Sequence, residues 1–138
     1  MFGKSSGAAV IDLLTVARGS GGFVINGQGI SDGSGYSVSG AGDVNGDGLA
    51  DVGVISSHRL YVVFGNSTGA AVNFSNFTAT QGFKFETNPS STFSSVSSAG
   101  DMNGDGHNDF LVTRAIAGTV DVIYGGASLT TVSSLNDG

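Results

Sequence analysis

Two nine-residue stretches carry the side chains with the clearest chemistry: residues 43–51 (DVNGDGLAD) and residues 101–109 (DMNGDGHND). Each places Asp, Asn and Asp at loop positions 1, 3 and 5, a backbone carbonyl at position 7 and Asp at position 9. These oxygens are the donors that a hard divalent cation requires, and Gly at position 6 permits the sharp turn around it. Six of the eleven acidic residues lie in these two loops. The spacing therefore indicates two calcium-binding loops.

Three other interpretations of the loops agree less well with the sequence. An EF-hand requires Glu at loop position 12, where this chain has Val54 and Val112. Mg²⁺ is disfavoured because it demands near-ideal octahedral geometry. Asn-Gly and Asp-Gly also form favourable hairpin turns without any metal, but this alternative does not explain three Asp and one Asn in register twice. Because three carboxylates crowd each hairpin, we expect chelation to lower the melting temperature.

Composition narrows the class of protein. At 138 residues and 13.7 kDa the chain has the size of one domain. Its net charge of −6, with no Lys/Arg cluster, argues against nucleic acid and against anionic membranes. No stretch approaches the roughly 20 apolar residues that span a bilayer. Residues 1–7 lack the charged and apolar regions of a secretory signal, and the absence of Cys excludes disulfides.

An internal repeat organises the chain. Asp43 and Asp101 lie 58 positions apart, and the segments around the two loops match as well. The matching pairs are 37–42 with 95–100, 52–55 with 110–113, 60–65 with 120–125, and 22–26 with 82–86. The chain therefore contains two repeats of about 60 residues, the length class of β-propeller blades.

Short apolar clusters separated by Gly-rich and Ser-rich turns predict an all-β chain with four antiparallel strands in each repeat. The alternation of Val120, Val122 and Tyr124 predicts a half-buried strand, whereas residues 52–55 look buried on both faces. Residues 8–17 have weak helical periodicity and are interpreted as an irregular connection. The strands are predicted at 36–42 and 93–100, 51–56 and 109–114, 59–64 and 119–124, and 22–26 and 82–86.

Residues 35–54, and their copy ending at Val112, resemble FG-GAP repeats, the blades of integrin α-subunit propellers and of many bacterial surface proteins. Two departures from the family pattern occur. The usual Gly-Ala-Pro is replaced at 55–57 and 113–115, and the leading Phe-Gly is degenerate at 34–35 and 92–93. The resemblance implies one Ca²⁺ in each hairpin, held by Asp43, Asn45, Asp47, the Leu49 carbonyl and Asp51, and by Asp101, Asn103, Asp105, the His107 carbonyl and Asp109.

The resemblance also divides the chain into one two-blade unit, residues 1–138. Residues 1–34 would supply the outer strand of a preceding blade, 35–90 a complete blade, and 91–138 a blade without its outer strand. Propellers have four to eight blades, and isolated blades expose strand edges. We therefore expect the ring to be completed by a longer parent chain or by a cyclic homo-oligomer, a trimer or a tetramer, with residues 22–26 pairing across the junction.

The expected function is a calcium-binding structural or adhesion-type interaction scaffold for protein or glycan partners. Carbohydrate binding is the alternative, and its aromatic candidates, Tyr36, Phe77 and Phe83, are each expected in the core. Extracellular or cell-surface location is expected, because loops without a bidentate Glu fill best at high calcium.

Catalysis is not expected. No nucleophile elbow, phosphate-binding loop or zinc helix occurs, and His58 and His107 are interpreted as solvated polar residues. Membership in a hydrolase is the third possibility, and it would need a carboxylate pair outside the loops. The remaining acids show no repeat register: Asp12, Asp32, Glu86, Asp121 and Asp137.

Overall fold

Short β-strands dominate the computed structural model, which describes residues 12–87, 91–114, 116, 118–126 and 129. Almost no helix is present in this part of the chain, which confirms the all-β prediction. In these residues no helix has the length and apolar character needed to cross a membrane. The elements are α1 (Leu13–Ala17), β1 (Ile25–Asn26), β2 (Ser37–Gly42), β3 (Asp51–Ser56), β4 (Arg59–Val63), β5 (Val72–Asn73), the 3₁₀ turn η1 (Phe74–Asn76), β6 (Gly82–Glu86), β7 (Phe93–Gly100), β8 (Asp109–Arg114) and β9 (Thr119–Ile123).

The first repeat forms a four-stranded antiparallel sheet in the order β2-β3-β4-β6, which we call blade 1. The loop 43–51 connects β2 to β3, and the turn at 57–58 connects β3 to β4. The second repeat forms the antiparallel sheet β7-β8-β9, which we call blade 2. A register shift in front of each loop, at Gly42 and at Gly100, gives the two hairpins the same bulge. The sheets match the expected strands to within about one residue at each end.

The larger apolar cluster lies between the two blades. Ile55, Leu60 and Val62 of blade 1 pack with Phe110 and Val112 of blade 2. Phe85 and Phe110 meet at an angle of 64°, with ring centroids 6.0 Å apart. Packing across the junction therefore joins the two repeats in one core.

A second apolar cluster covers the other face of blade 1. Tyr61 stacks on Phe74 with ring centroids 3.6 Å apart, and Phe23 and Ile25 pack beside them. Strand β3 is consequently buried from both sides, as predicted for residues 52–55.

The N-terminal part differs from expectation in two ways. The strand predicted at 22–26 is reduced to β1, which pairs in parallel with β5. The described part of segment 8–17 is helical, so its interpretation as an irregular connection is wrong there. Asp12 accepts a hydrogen bond from the N–H of Leu14 (2.9 Å) and caps α1, while Val16 is buried. Capping and burial together stabilise a helix of one and a half turns.

Strand β9 exists as predicted, but its apolar side is not the buried one. Val120, Val122 and Tyr124 are exposed, and Ile123 is the residue that packs into the core between the blades. Asp121 lies on the inner side, where it pairs with Arg114 (2.7 Å). Alternation indicated a strand with two different faces, but not which face meets blade 1.

Candidate functional site

The first Asp-rich loop is organised around the carboxylate of Asp43. Its Oδ1 accepts hydrogen bonds from the N–H groups of Gly46 (2.8 Å) and Asp47 (3.1 Å). Its Oδ2 accepts from the N–H of Gly48 (2.8 Å). Three backbone N–H groups therefore donate to the carboxylate at position 1, and the loop curls around it as in an Asx-type turn.

Positions 3 and 5 extend this network. The Oδ1 of Asn45 accepts from the N–H of Asp47 (3.0 Å), and its Nδ2 donates to Asp47 Oδ2 (2.9 Å). Asp47 Oδ1 accepts from the N–H of Leu49 (2.8 Å). The side chains at positions 1, 3 and 5 thus all face the same small stretch of backbone.

The second loop repeats the network bond for bond. The N–H groups of Gly104 (2.7 Å), Asp105 (3.1 Å) and Gly106 (2.9 Å) donate to Asp101. The hydrogen bonds of Asn103 and Asp105 follow those of the first loop. The N–H of His107, helped by the Asn103 amide, lowers the pKa of the exposed Asp105 carboxyl. The sequence repeat is therefore also a repeat of side-chain geometry.

Position 9 has a role that the spacing did not indicate. Asp51 is 1 % exposed; its Oδ2 accepts from the N–H of Val44 (2.8 Å) and its Oδ1 from the N–H of Gly65 (2.9 Å). This carboxylate ties the start of the loop to the chain just after the third strand of the blade. Burial raises the pKa of Asp51, and the two N–H donors oppose that rise. Asp109, at 0 % exposure, makes the same bonds to the N–H groups of Met102 (2.6 Å) and Gly125 (2.9 Å).

We call this arrangement the position-9 clasp. One sequence signal could have revealed it, namely the Gly that follows the third strand in both repeats, Gly65 and Gly125. A Cβ at Gly65 would lie 2.6 Å from the carbonyl oxygen of Ala50, so only Gly lets the chain approach the loop closely enough.

The two loops also contact each other across the blade junction. The N–H of Asp43 donates to Asn108 Oδ1 (2.8 Å), and the N–H of Asn108 donates to the carbonyl of Asp43 (2.9 Å). The ring of His107 lies against Gly46, where a Cβ would come within 2.5 Å of the imidazole. Positions 7 and 8 of the second loop therefore position the first.

Neither histidine is the freely solvated residue that the sequence suggested. His107 is half-buried against the first loop, and its Nδ1 is buried with no hydrogen-bond partner in the described residues. His58 is half-buried as well, and its Nδ1 donates to the carbonyl of Ser91 (3.0 Å). Both are packing residues, a role for which position in a turn gives no signal.

The donor chemistry of each loop fits a calcium ion. The loop carboxylates take part in none of the ion pairs of the described chain, which involve Glu86 and Asp121 instead. His, Cys, Asp and Glu side chains alone form no metal-holding group of three in the described residues. The predicted set is mixed: carboxylates, one amide and one backbone carbonyl, the oxygen donors that Ca²⁺ accepts. In the first loop Asp43, Asn45, Asp47 and the Leu49 carbonyl would hold the ion, with Asp51 buried behind them.

A cleft of 340 Å³ lies at the opposite end of the blades. Tyr36, just before β2, forms one side and is 83 % exposed, so the expectation that it lies in the core is wrong. Phe83 and Phe77 do belong to the packed clusters, as expected. The apolar wall of the cleft is formed by Ile55 and Phe93, and its polar lining residues are Ser57, Thr92 and Ser94.

The fold and the duplicated loops define a protein built from repeated antiparallel β-sheet units. The family model of the FG-GAP-like repeat matches residues 43–112, a span that includes both loops and ends in β8. The chain therefore belongs to the FG-GAP-like repeat family, which confirms the resemblance. No curated protein and no solved structure matches the chain.

Proposed function

We propose that this chain is a calcium-binding β-propeller module that serves as a structural and adhesion-type interaction scaffold. The observation that carries the proposal is the duplicated loop, in which mixed oxygen donors and three carboxylates recur with the same geometry. Among the described residues these carboxylates form no ion pair with a basic side chain. Family membership adds support, because FG-GAP-like repeats are structural repeats. Two calcium ions per chain are proposed, one in each loop.

A bound Ca²⁺ would supply positive charge to carboxylates that otherwise repel one another. The chain's own contribution is to curl the loop through Asp43 and to hold its base through the buried Asp51. Affinities of about 10⁻⁴ to 10⁻³ M, typical of extracellular modules, suit a loop without a bidentate Glu. Extracellular or cell-surface location is part of the proposal for this reason.

Thermal unfolding in excess Ca²⁺ and in EGTA tests the calcium function. At a free Ca²⁺ concentration of about 100 Kd, each occupied site adds about 2.7 kcal/mol to the free energy of unfolding. Asp47→Ala and Asp105→Ala should each abolish about half of the calcium-dependent rise and reduce the calorimetric stoichiometry from two to one. Asp12→Asn is the matched control, because Asn caps a helix about as well as Asp. Identical melting curves in Ca²⁺ and EGTA would contradict the proposal.

The acids outside the loops that the structure describes support a non-enzymatic role, and Asp137 lies outside the described residues. Asp12 caps α1, and Asp32 accepts hydrogen bonds from the N–H and hydroxyl of Ser34 (2.9 and 2.8 Å). Glu86 and Asp121 are held in ion pairs with basic side chains. In the described chain these carboxylates are engaged in local structure, which leaves a hydrolase as the weakest of the three candidate functions.

Carbohydrate binding is the second candidate, and the exposed Tyr36 favours it. An aromatic face beside hydroxyl groups in a cleft at the blade junction is suited to an amphipathic ring such as a sugar. A glycan array tests this directly. Tyr36→Ala should abolish binding of any glycan found, whereas Tyr36→Phe retains the ring face and should keep most of it. A blank array, with the protein folded and calcium-loaded, would contradict a lectin function.

A further inference from the structure

One face of blade 2 is apolar and open. Val120 is 60 % exposed, Val122 is 42 % exposed and Tyr124 is 55 % exposed. Val122 lies directly opposite Leu111 of β8, so both side chains point to the same side of the sheet, away from blade 1. The outer edge of β9 has no strand partner among the described residues. Blade 2 therefore has an apolar face and an unpaired strand edge that adjoin each other.

The equivalent face of blade 1 is part of the core. Leu60 and Val62, sixty positions before Val120 and Val122, are fully buried. Phe64, the counterpart of Tyr124, packs edge-on against Phe83 with centroids 4.9 Å apart. In blade 1 the neighbouring blade covers this face, and strand β6 pairs with the edge of β4. In the described chain blade 2 has neither a neighbouring blade on this face nor a strand paired with the edge of β9.

A second copy of β6 is already present in the sequence. Residues 22–26 correspond to 82–86, so Phe23 and Ile25 are the counterparts of Phe83 and Phe85. Phe23 and Ile25 lie on the face of blade 1 that points away from blade 2, just as Phe83 and Phe85 lie against blade 2 itself. Segment 22–26 thus has the placement of an outer strand belonging to a preceding blade. Among the described residues, its β1 strand is paired on one edge only, with β5.

We propose that the open face of blade 2 binds the N-terminal side of a second copy of this chain. Strand β1 of the second copy would pair with β9 in the register in which β6 pairs with β4. That register places Val122 opposite Phe23, and Val120 opposite Ile25, of the second copy. The junction between copies then repeats the junction between blades 1 and 2. The inference rests on the proposed propeller module but not on its calcium.

The complementarity argues for a second copy rather than an unrelated partner. The open surface is a sheet face plus a strand edge, a combination that a strand-bearing blade of the same twist covers completely. Each such contact leaves one open face on the last chain, so head-to-tail binding continues until a ring closes. Three or four chains would give six or eight blades, within the range of known propellers.

Light scattering on the full chain, in Ca²⁺ and in EGTA, measures the assembly. We expect a mass of three or four chains rather than the 13.7 kDa of one. The double variant Val120→Lys/Val122→Lys should be folded by circular dichroism and monomeric. Ile116→Lys, an exposed apolar residue of the same blade outside the sheet face, should leave the mass unchanged. A monomeric wild type at about 10⁻⁴ M overturns the inference, whether or not melting depends on calcium.

Cysteine cross-linking tests the register, and the chain has no native Cys to interfere. Arg59 pairs with Glu86 in blade 1, so Thr119 should face Asn26 of the second copy. The variant Thr119→Cys/Asn26→Cys should form disulfide-linked multimers on oxidation. Thr119→Cys/Ile30→Cys is the out-of-register control and should not. If only the control forms multimers, or if neither variant does, the proposed pairing is wrong. An absence of calcium-dependent melting would contradict the calcium function but not the pairing.

Discussion

Replacing Asp51 by Ala separates the position-9 clasp from metal binding. The substitution removes the acceptor of two N–H groups, those of Val44 and Gly65, which are buried or partly buried. Each donor left without a partner costs about 1 to 3 kcal/mol. Part of this cost is recovered because the variant no longer buries the charge of Asp51. That burial is itself unfavourable, and it raises the pKa of Asp51. We therefore expect a net loss of about 2 to 4 kcal/mol, a large share of the 5 to 15 kcal/mol typical of a domain.

The assay is urea denaturation in EGTA, where bound metal contributes nothing. The control is Asp47→Ala, because Asp47 is an exposed residue of the same loop and its acceptor bond to the N–H of Leu49 lies at the surface. In EGTA the Asp47 variant should lose less than about 1 kcal/mol. In Ca²⁺ the two variants should behave differently. Asp47→Ala should lose the metal-dependent increase in the free energy of unfolding at its loop, whereas Asp51→Ala should show the same loss of stability in Ca²⁺ and in EGTA.

The second loop supplies an independent copy of this experiment. Asp109→Ala and Asp105→Ala should reproduce the same ranking in EGTA, since the bonds to Met102 and Gly125 repeat those of the first loop. If the position-9 variants cost no more than the position-5 variants without metal, the clasp is not a structural element. Asp51 and Asp109 would then be ordinary ligands, as their spacing first indicated.

Two further predictions concern packing and pH. A Cβ at Gly53 would lie 2.7 Å from Val96 Cγ2 across the blade junction, so Gly53→Ala should cost about 1 to 3 kcal/mol in urea denaturation. Val96→Ala should recover part of that loss in a double-mutant cycle, and additive costs would show that the contact is not the cause. Hydrogen bonds from Arg59 and then Lys84 lower the pKa of Glu86 below 4.5, so the ionised pair stabilises the fold above that pH. Glu86→Gln should lower the free energy of unfolding by roughly 0.5 to 1 kcal/mol at pH 7. This difference from wild type should vanish as the pH falls through the lowered pKa of Glu86. A difference in stability that does not change with pH would rule out an ionic origin.

The strands were predictable because clear sequence signals mark their ends. Strand β8 starts at the last Asp of its loop, and β6 starts at a Gly and ends at the single Glu. Strand β5 was not predictable, because its two residues are ordered by a parallel contact with β1 from 47 positions away. The helix α1 was missed for a different reason. Residues 8–17 have only weak helical periodicity, and the one local signal that favours a helix is the Asp cap in front of Leu13.

The positions of the loops were predictable from the sequence, but the different roles of their acidic residues were not. Alternating oxygens and Gly residues identify a nine-residue unit, and positions 1, 3 and 5 do face one stretch of backbone in the structure. Burial depends on what packs from outside the unit, and no spacing rule reveals that. Asp51 is buried because the chain after β4 returns to the loop, and Tyr36 is exposed because β7 of blade 2 leaves a cleft there instead of covering it.

The two candidate functions lie at opposite ends of the same strand. Tyr36 directly precedes β2 and Asp43 directly follows it, so six strand residues, about 20 Å, separate the cleft from the first loop. A ligand in the cleft cannot contact an ion in the loop over that distance. Calcium would act on the cleft only through the stability of blade 1, which both features share. A position-5 variant or a clasp variant that stays folded should therefore bind any cleft ligand as the wild type does, and binding should weaken only to the extent that a variant is unfolded.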